Sequence, residues 1–307
     1  MSEKIYDVII VGGGPGGYSA ALYCARADLS VAVLEKLSPG GQMGTTDMVE
    51  NYPGFAEGIN GFELGMQMQQ GAERFGVVTE LTEVTSVDLK AEPKVIETTD
   101  GTFLGRTVIL ATGASPRELG LPNEMELRGR GVSYCATCDG MFYKNKTVVI
   151  VGGGNTAVAD ALFLAKICTK VYLVHRRDEL RASKTYMNSL KETDNIEFVW
   201  DSIVTEILQN GSVAGVKVKN KKTEEEREIA CDGVFVAVGN LPNTGLFQGQ
   251  IDLDEAGYVL ADETTQTNIP GVYAVGDMRK KPLRQIVTAV SDGAVASKYA
   301  EEYLTLK

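Results

Sequence analysis

Cys135-Ala136-Thr137-Cys138 sets two thiols three residues apart, and Asp139 follows directly. That spacing lets two sulfurs cycle between dithiol and disulfide, with the thiolate as the reactive form. A carboxyl group beside the pair can give or take the proton that exchange requires. The competing use of such a pair is half of a zinc site, which needs about four N or S ligands. Cys24, Cys168 and Cys231 are scattered, and the single histidine, His175, lies in a basic run, so the count argues against zinc. The three isolated cysteines stand among apolar or Ala-rich residues and read as small buried hydrophobes.

Two glycine clusters supply the second kind of chemistry. Gly12-x-Gly14-Pro15-x-Gly17 follows the apolar run IYDVIIV and opens an Ala-rich helix. In that context the glycines serve a tight turn, a close approach of pyrophosphate to backbone, and close helix–strand packing. The helix N-terminus then offers free N–H groups and its dipole to the phosphates. Glu35 closes the next strand, 18 residues after Gly17, where a carboxylate binds ribose hydroxyls. The second cluster, Gly152-x-Gly154-Asn155-Thr156-Ala157, has the accepted Ala variant at its third place. Its next strand ends in His175-Arg176-Arg177, with Arg181 four residues beyond Arg177. Guanidinium groups there select a 2′-phosphate, hence NADP over NAD. The first site suits a dinucleotide without that phosphate, such as FAD. Together they suggest hydride transfer from nicotinamide to flavin.

The elements that must position these residues form a repeat. Strand 5–11, a helix from about 18 to 26 and strand 31–34 make one βαβ unit. Strand 147–151, a helix from about 156 to 166 and strand 171–174 make another, and the two glycine clusters start 140 residues apart. Apolar strands ending in a Gly turn recur at 107–113 and 233–239, with a third version at 272–277. Ser115-Pro116 and Leu241-Pro242 are plausible hinges. The expected fold class is α/β, with two Rossmann-like domains and the second inserted in the first: 1–114, then 115–245, then 246–307. Pattern alone ties 246–307 only weakly to the first domain.

Composition bounds the partners. The chain has 307 residues, too many for one comfortable core, with 44% hydrophobic and 23% charged residues. Its net charge of −11 repels nucleic acid and anionic membranes. No run approaches the roughly 18 apolar residues needed to span a bilayer. The first residues carry one Lys and no apolar stretch ahead of the first strand, unlike a signal peptide. The reading is a cytoplasmic protein.

Several segments resemble the low-molecular-weight, bacterial-type thioredoxin reductases. GVSYCATCDGMFY at 131–143, GGGNTAVADA at 152–161 and HRRDELRASK at 175–184 look like that family's redox and NADPH motifs. Gly40-Gly41-Gln42 with Glu50-Asn51-Tyr52-Pro53-Gly54 is similar to its flavin-contacting segment. Gly276-Asp277, followed by Arg284-Gln285-Ile286, resembles its C-terminal FAD motif. The candidate flavin set is completed by Ala111, Thr112 and Gly113. The matches run in family order from residue 5 to about 300. The resemblance implies that 246–307 completes the FAD domain and that the protein is a homodimer. It implies that Cys138 faces the flavin, that Cys135 attacks the disulfide of thioredoxin, and that Asp139 is the general acid. It further implies that the NADPH domain rotates between a nicotinamide-on-flavin arrangement and one exposing the dithiol.

Rival readings differ in partner or class. Partner choice lies on a surface that motifs do not describe, so a glutaredoxin-like or peroxidase-linked partner stays open. A ferredoxin-dependent relative loses the second nucleotide motif and its arginines, which this chain keeps. A ferredoxin–NADP reductase of this architecture lacks the cysteine pair. A non-catalytic flavoprotein would need neither an NADPH site nor a dithiol.

Overall fold

The computed structural model describes residues 4–46, 48–182, 189–190 and 192–306. Residues 183 and 184, which end the basic segment HRRDELRASK, lie outside them. The chain forms two compact units, one of residues 1–115 with 241–307, the other of residues 116–240. The second is therefore inserted in the first.

The first unit is built on a seven-stranded sheet. Its parallel part runs β3 (Val78–Leu81), β2 (Val31–Glu35), β1 (Ile5–Val11), β6 (Gly101–Leu110), with β17 (Val272–Ala274) on the far side of β6. β4 (Val84–Asp88) and β5 (Lys94–Thr98) add an antiparallel pair beside the first half of β6. β1 and β2 are near-continuous apolar runs because both sheet faces are covered. Ile9, Leu34 and Leu110 fill one face, while Val8, Ile10, Val33 and Ile109 fill the other. Truncating one such side chain, as in Ile10→Ala, costs about 2–5 kcal/mol. Helix α1 (Pro15–Arg26) packs on the second face beside the C-terminal helix, α5 here (Ile286–Thr305). A Cβ on Gly293 of α5 would stand 2.2 Å from the Gly16 carbonyl oxygen, so only Gly permits this approach.

The strand expected at 107–113 begins earlier and ends earlier than its apolar pattern. β6 starts at Gly101 because its first half pairs with β5. It stops at Leu110 because β1 ends opposite it at Val11, leaving Ala111–Gly113 free to turn. Likewise α1 starts at Pro15, not near 18, since proline's fixed φ suits a first helical turn.

The second unit holds a five-stranded parallel sheet. Its order is β11 (Ile196–Val199), β10 (Lys170–Val174), β9 (Thr147–Gly152), β15 (Gly233–Ala237), β8 (Val132–Ser133). Helix α4 (Asn155–Ala165) covers one face with Val158, Ala161 and Leu164. A three-stranded antiparallel sheet of β12 (Ser202–Gln209), β13 (Val213–Asn220) and β14 (Glu226–Ala230) contributes Ile207, Val216 and Ile229 to a second core. The linking segments β7 (Ala114–Pro116) and β16 (Asn240–Pro242) pair as short strands.

Candidate active site

Strand direction decides where chemistry can sit. In parallel α/β sheets ligands bind beyond the carboxyl ends of the strands. In the second unit β8, β9 and β10 are mutually parallel through β15, so their carboxyl ends share one edge. The residues leaving that edge are Tyr134-Cys135, Gly153-Gly154 and His175-Arg176-Arg177.

β8 escaped the sequence reading, being only two residues long, yet it delivers the redox turn. β8 (Val132–Ser133) ends two residues before Cys135, which is the N-cap residue of the one-turn helix α3 (Ala136–Asp139). Cys135 and Cys138 are joined in a disulfide, with Cα atoms 5.3 Å apart. The Cys138 and Asp139 amides donate to the Cys135 carbonyl at 3.2 and 3.1 Å, which closes the turn. The buried Ser133 hydroxyl donates to Asp139 Oδ2 at 2.6 Å and accepts from the Cys135 amide at 3.1 Å. Behind it, Tyr134 donates its hydroxyl to Glu124 Oε1 at 2.8 Å. The buried Glu124 also takes the amides of Leu119, Gly120 and Leu121. Ser133 and Glu124 were invisible in the sequence, because each acts through a contact that no spacing rule describes.

The remaining thiols are of another kind. Cys24, Cys168 and Cys231 are free and buried. Burial pushes the thiols up to about 12, 11 and 12 respectively, so they stay protonated at neutral pH.

Around the second glycine cluster, a Cβ at Gly152 would stand 2.4 Å from the Ala237 carbonyl oxygen. Beyond Gly154 there is open space, and no side chain caps the α4 N-terminus that Asn155 and Thr156 begin. Ala157 is buried beneath them. That opening fits a pyrophosphate. Arg176, Arg177 and Arg181 are exposed, and the Arg181 amide donates to the Gly153 carbonyl at 2.8 Å. The basic loop is thereby tied to the glycine turn. His175 is instead 5% exposed, with its ring under the turn: a Cβ on Gly153 would fall 2.1 Å from its Cε1. Burial, reinforced by Arg181, Arg176 and Arg177, lowers its pKa, so the ring is neutral.

In the first unit the flavin candidates gather at the carboxyl edge of β1. Gly12 has φ 109°, and a Cβ there would lie 2.5 Å from the Ala111 oxygen. A Cβ on Gly17 would lie 2.0 Å from the Gly12 oxygen. Gly14 faces open space, and the α1 N-terminus has no side-chain cap. Glu35 is buried and accepts the Gly13 amide at 2.7 Å and the Leu37 amide at 3.0 Å, which fixes the turn to β2. Gly41 lies against Gly14, and Gln42 donates to the Ala114 carbonyl. Helix α2 (Gly61–Glu73), capped by Asn60, supports this segment, because Gly61 and Gly65 let it approach Met43 and Gly40. Thr112 Oγ1 donates to the Asn243 carbonyl at 2.6 Å, and the Asn243 amide donates to the Gly113 carbonyl at 3.0 Å. Asn51 Nδ2 donates to Gln285 Oε1 at 3.0 Å, beside Ile286 at the start of α5.

Gly276, at φ 74°, turns the chain into Asp277. Arg284 Nε donates to the Asp277 carbonyl at 3.1 Å and its guanidinium stacks on Tyr258. Asp277 Oδ1 is buried without a hydrogen-bond partner. Such a group needs a donor, and a ribose-like hydroxyl of a dinucleotide is one. The residues therefore fit FAD in the first unit and NADPH in the second.

The chain is similar to known proteins over nearly its whole length. The pyridine nucleotide-disulphide oxidoreductase family model matches residues 6–293. A thioredoxin reductase of Peptoclostridium acidaminophilum is 44% identical, over 98% of each chain. That of Bacillus subtilis is 43% identical over 98% of this chain and 96% of its own. The crystal structure of thioredoxin reductase from Streptococcus pyogenes covers 100% of both chains at 43% identity, with a TM-score of 0.93. The chain belongs to the pyridine nucleotide-disulphide oxidoreductase family, within its thioredoxin reductases, and is an oxidoreductase working with FAD and NADPH.

Proposed function

We propose that the chain carries electrons from NADPH, by way of FAD and the Cys135–Cys138 pair, to the disulfide of thioredoxin. The observation that carries the reading is the disulfide itself, formed in a turn backed by Ser133 and Asp139, in the unit that also bears the Arg176-Arg177-Arg181 loop. The unit 116–240 takes NADPH, and the two-part unit takes FAD.

The bound cofactors supply hydride and electron-pair chemistry between nicotinamide and disulfide. Arg176, Arg177 and Arg181 hold the 2′-phosphate, and the Gly152–Ala157 turn holds the pyrophosphate. Gly12, Gly14, Pro15, Gly17 and Glu35 hold the FAD dinucleotide, with Gly41, Gln42, Asn51, Ala111, Thr112, Gly113, Asp277, Arg284, Gln285 and Ile286 lining the rest. Two electrons and one proton, the equivalent of a hydride, break the Cys135–Cys138 bond and leave Cys138 a thiol and Cys135 a thiolate. Cys135 then attacks a sulfur of the thioredoxin disulfide, and the displaced sulfur takes a proton from Asp139 and leaves as a thiol. Cys138 gives its proton back to the Asp139 carboxylate and attacks Cys135 in the mixed disulfide, which restores the internal disulfide and releases the second thioredoxin sulfur, protonated by water, as the dithiol. The acting form is a homodimer in the cytoplasm. None of the described helices is long and apolar enough to cross a membrane.

The test is anaerobic addition of NADPH with the visible flavin band recorded. The band bleaches and returns when oxidised thioredoxin is added. A band indifferent to NADPH but bleached by reduced ferredoxin overturns the assignment of the arginine loop. Reoxidation by a glutaredoxin-like protein and not by thioredoxin overturns the partner. Sedimentation at the mass of one chain overturns the dimer.

A further inference from the structure

Next to the flavin candidates lies a buried charge cluster that the mechanism above does not use. Asp292, on the second turn of α5, is buried. Its Oδ2 accepts the Gly276 amide at 2.9 Å and the Lys281 ammonium at 2.6 Å. Its Oδ1 accepts Arg279 Nη1 at 2.8 Å. Arg279 is buried too, and its Nη2 donates to the Asp262 carbonyl at 2.8 Å. Lys281 also donates to the Thr288 carbonyl at 3.3 Å. Two cations and one anion leave the cluster one positive charge in excess.

Desolvating three charged side chains is costly, and burying apolar groups of similar volume is often no less stable. The cluster therefore calls for a role other than stability. Its geometry supplies one. The Gly276 amide it fixes is the hinge into Asp277, whose Oδ1 has no partner. The charged groups facing that carboxyl are Lys281 and Arg284 on its own segment and Asp292 on α5. Burial raises the Asp277 pKa, Lys281 and Arg284 lower it, and Asp292 raises it again.

We propose that Asp292, with Arg279 and Lys281, is a positioning device for the flavin cofactor. Its carboxylate pins the left-handed Gly276 so that Asp277 is presented to a cofactor hydroxyl. Lys281, with Arg284 beside it, favours the ionised acceptor form of Asp277 against the burial that disfavours it. This rests on the reading of Asp277 as a flavin-site residue.

The test follows FAD release from the full-length holoenzyme, diluted to low concentration, as the rise in flavin fluorescence across pH 5 to 9. Wild-type release quickens toward acid as Asp277 takes a proton. Lys281→Met removes a cation facing Asp277, and its acid limb moves to higher pH. Asp292→Asn keeps an oxygen for the Gly276 amide but removes the negative charge, and its acid limb moves to lower pH. Asp292→Ala also frees the Gly276 turn, and release quickens roughly tenfold or more at every pH, the effect of losing a charged hydrogen bond. Loss of packing alone would quicken release without moving the limb in opposite directions. Two variants with unmoved limbs overturn the proposal, even if Asp292→Ala fails to fold. Asp277→Asn serves as the separate control: unchanged release in that variant overturns the flavin-site reading itself.

Discussion

The Ser133 hydroxyl donates to Asp139 Oδ2 at 2.6 Å, spanning the cysteine pair from one side of the turn to the other. Ser133 enters from β8 and Asp139 leaves at the end of α3, so the carboxylate is held by the element that delivers Cys135. If Asp139 is the proton donor for thiolate departure, its removal spares flavin reduction and harms thioredoxin reduction. Asp139→Asn is expected to lower thioredoxin turnover by roughly 10²- to 10⁴-fold. Ser133→Ala is expected to lower it by roughly tenfold, the value of one charged hydrogen bond. Stopped-flow bleaching by NADPH, compared with steady-state turnover, separates the two half-reactions. Equal losses in both would make Asp139 a structural residue.

Cys138→Ser removes the resolving sulfur. The variant should form a lasting mixed disulfide between Cys135 and thioredoxin, visible as a higher-mass band on a non-reducing gel. Normal turnover by this variant would contradict the assigned order of attack.

The exposed Arg176, Arg177 and Arg181 should matter for NADPH and not for NADH. Replacing any one with Ala should raise the KM for NADPH by roughly 10- to 100-fold, as expected for lost charge-assisted hydrogen bonds. The kcat and the weak use of NADH should change little. A similar rise in both KM values would mean that these side chains shape the loop and do not read the phosphate.

Thiol counting gives a pH test. The disulfide hides two sulfurs, and burial raises the other three thiols to about 11 to 12. An aromatic disulfide reagent at pH 8 should find no fast thiol in the oxidised protein. After NADPH it should find the two of Cys135 and Cys138, and the other three only on unfolding. Fast labelling of Cys24, Cys168 or Cys231 at pH 8 would refute their buried, protonated state.

Asp160 on α4 carries a carboxyl that burial pushes up to about 6. Between about pH 4 and 6 the folded chain keeps a proton that the unfolded chain has released. The stability associated with this group is thus present at acid pH and lost as pH rises through about 6. Asp160→Asn should stabilise the protein at pH 7.5 by on the order of 1–3 kcal/mol and do little at pH 4. Urea unfolding of both proteins at the two pH values decides it. Equal effects at both would show that Asp160 is not the titrating group.

Much of this was legible in residue order. Glycine clusters declare themselves because a turn between strand and helix tolerates no Cβ, as Gly12 and Gly17 do against Ala111 and each other. β1 and β9 were legible as near-continuous apolar runs. β8 was not, because two residues carry no periodicity, and its pairing with β15 spans about a hundred residues of chain. The early start of β6 was hidden for a similar reason: residues 101 to 105 are held by β5, not by their own pattern.

By its own order the chain determined the chemistry: a dithiol beside a carboxylate, two dinucleotide turns, and a basic loop on one of them. These are local features, set by spacings of a few residues and by the rigid geometry of strand, turn and helix. The tertiary structure alone decided what holds them in place. Glu124 beneath Tyr134, Ser133 against Asp139, and Asp292 between Gly276, Arg279 and Lys281 are contacts between segments that folding brings together. Buried polar groups must find partners wherever the packed chain offers them, and sequence distance does not constrain that choice.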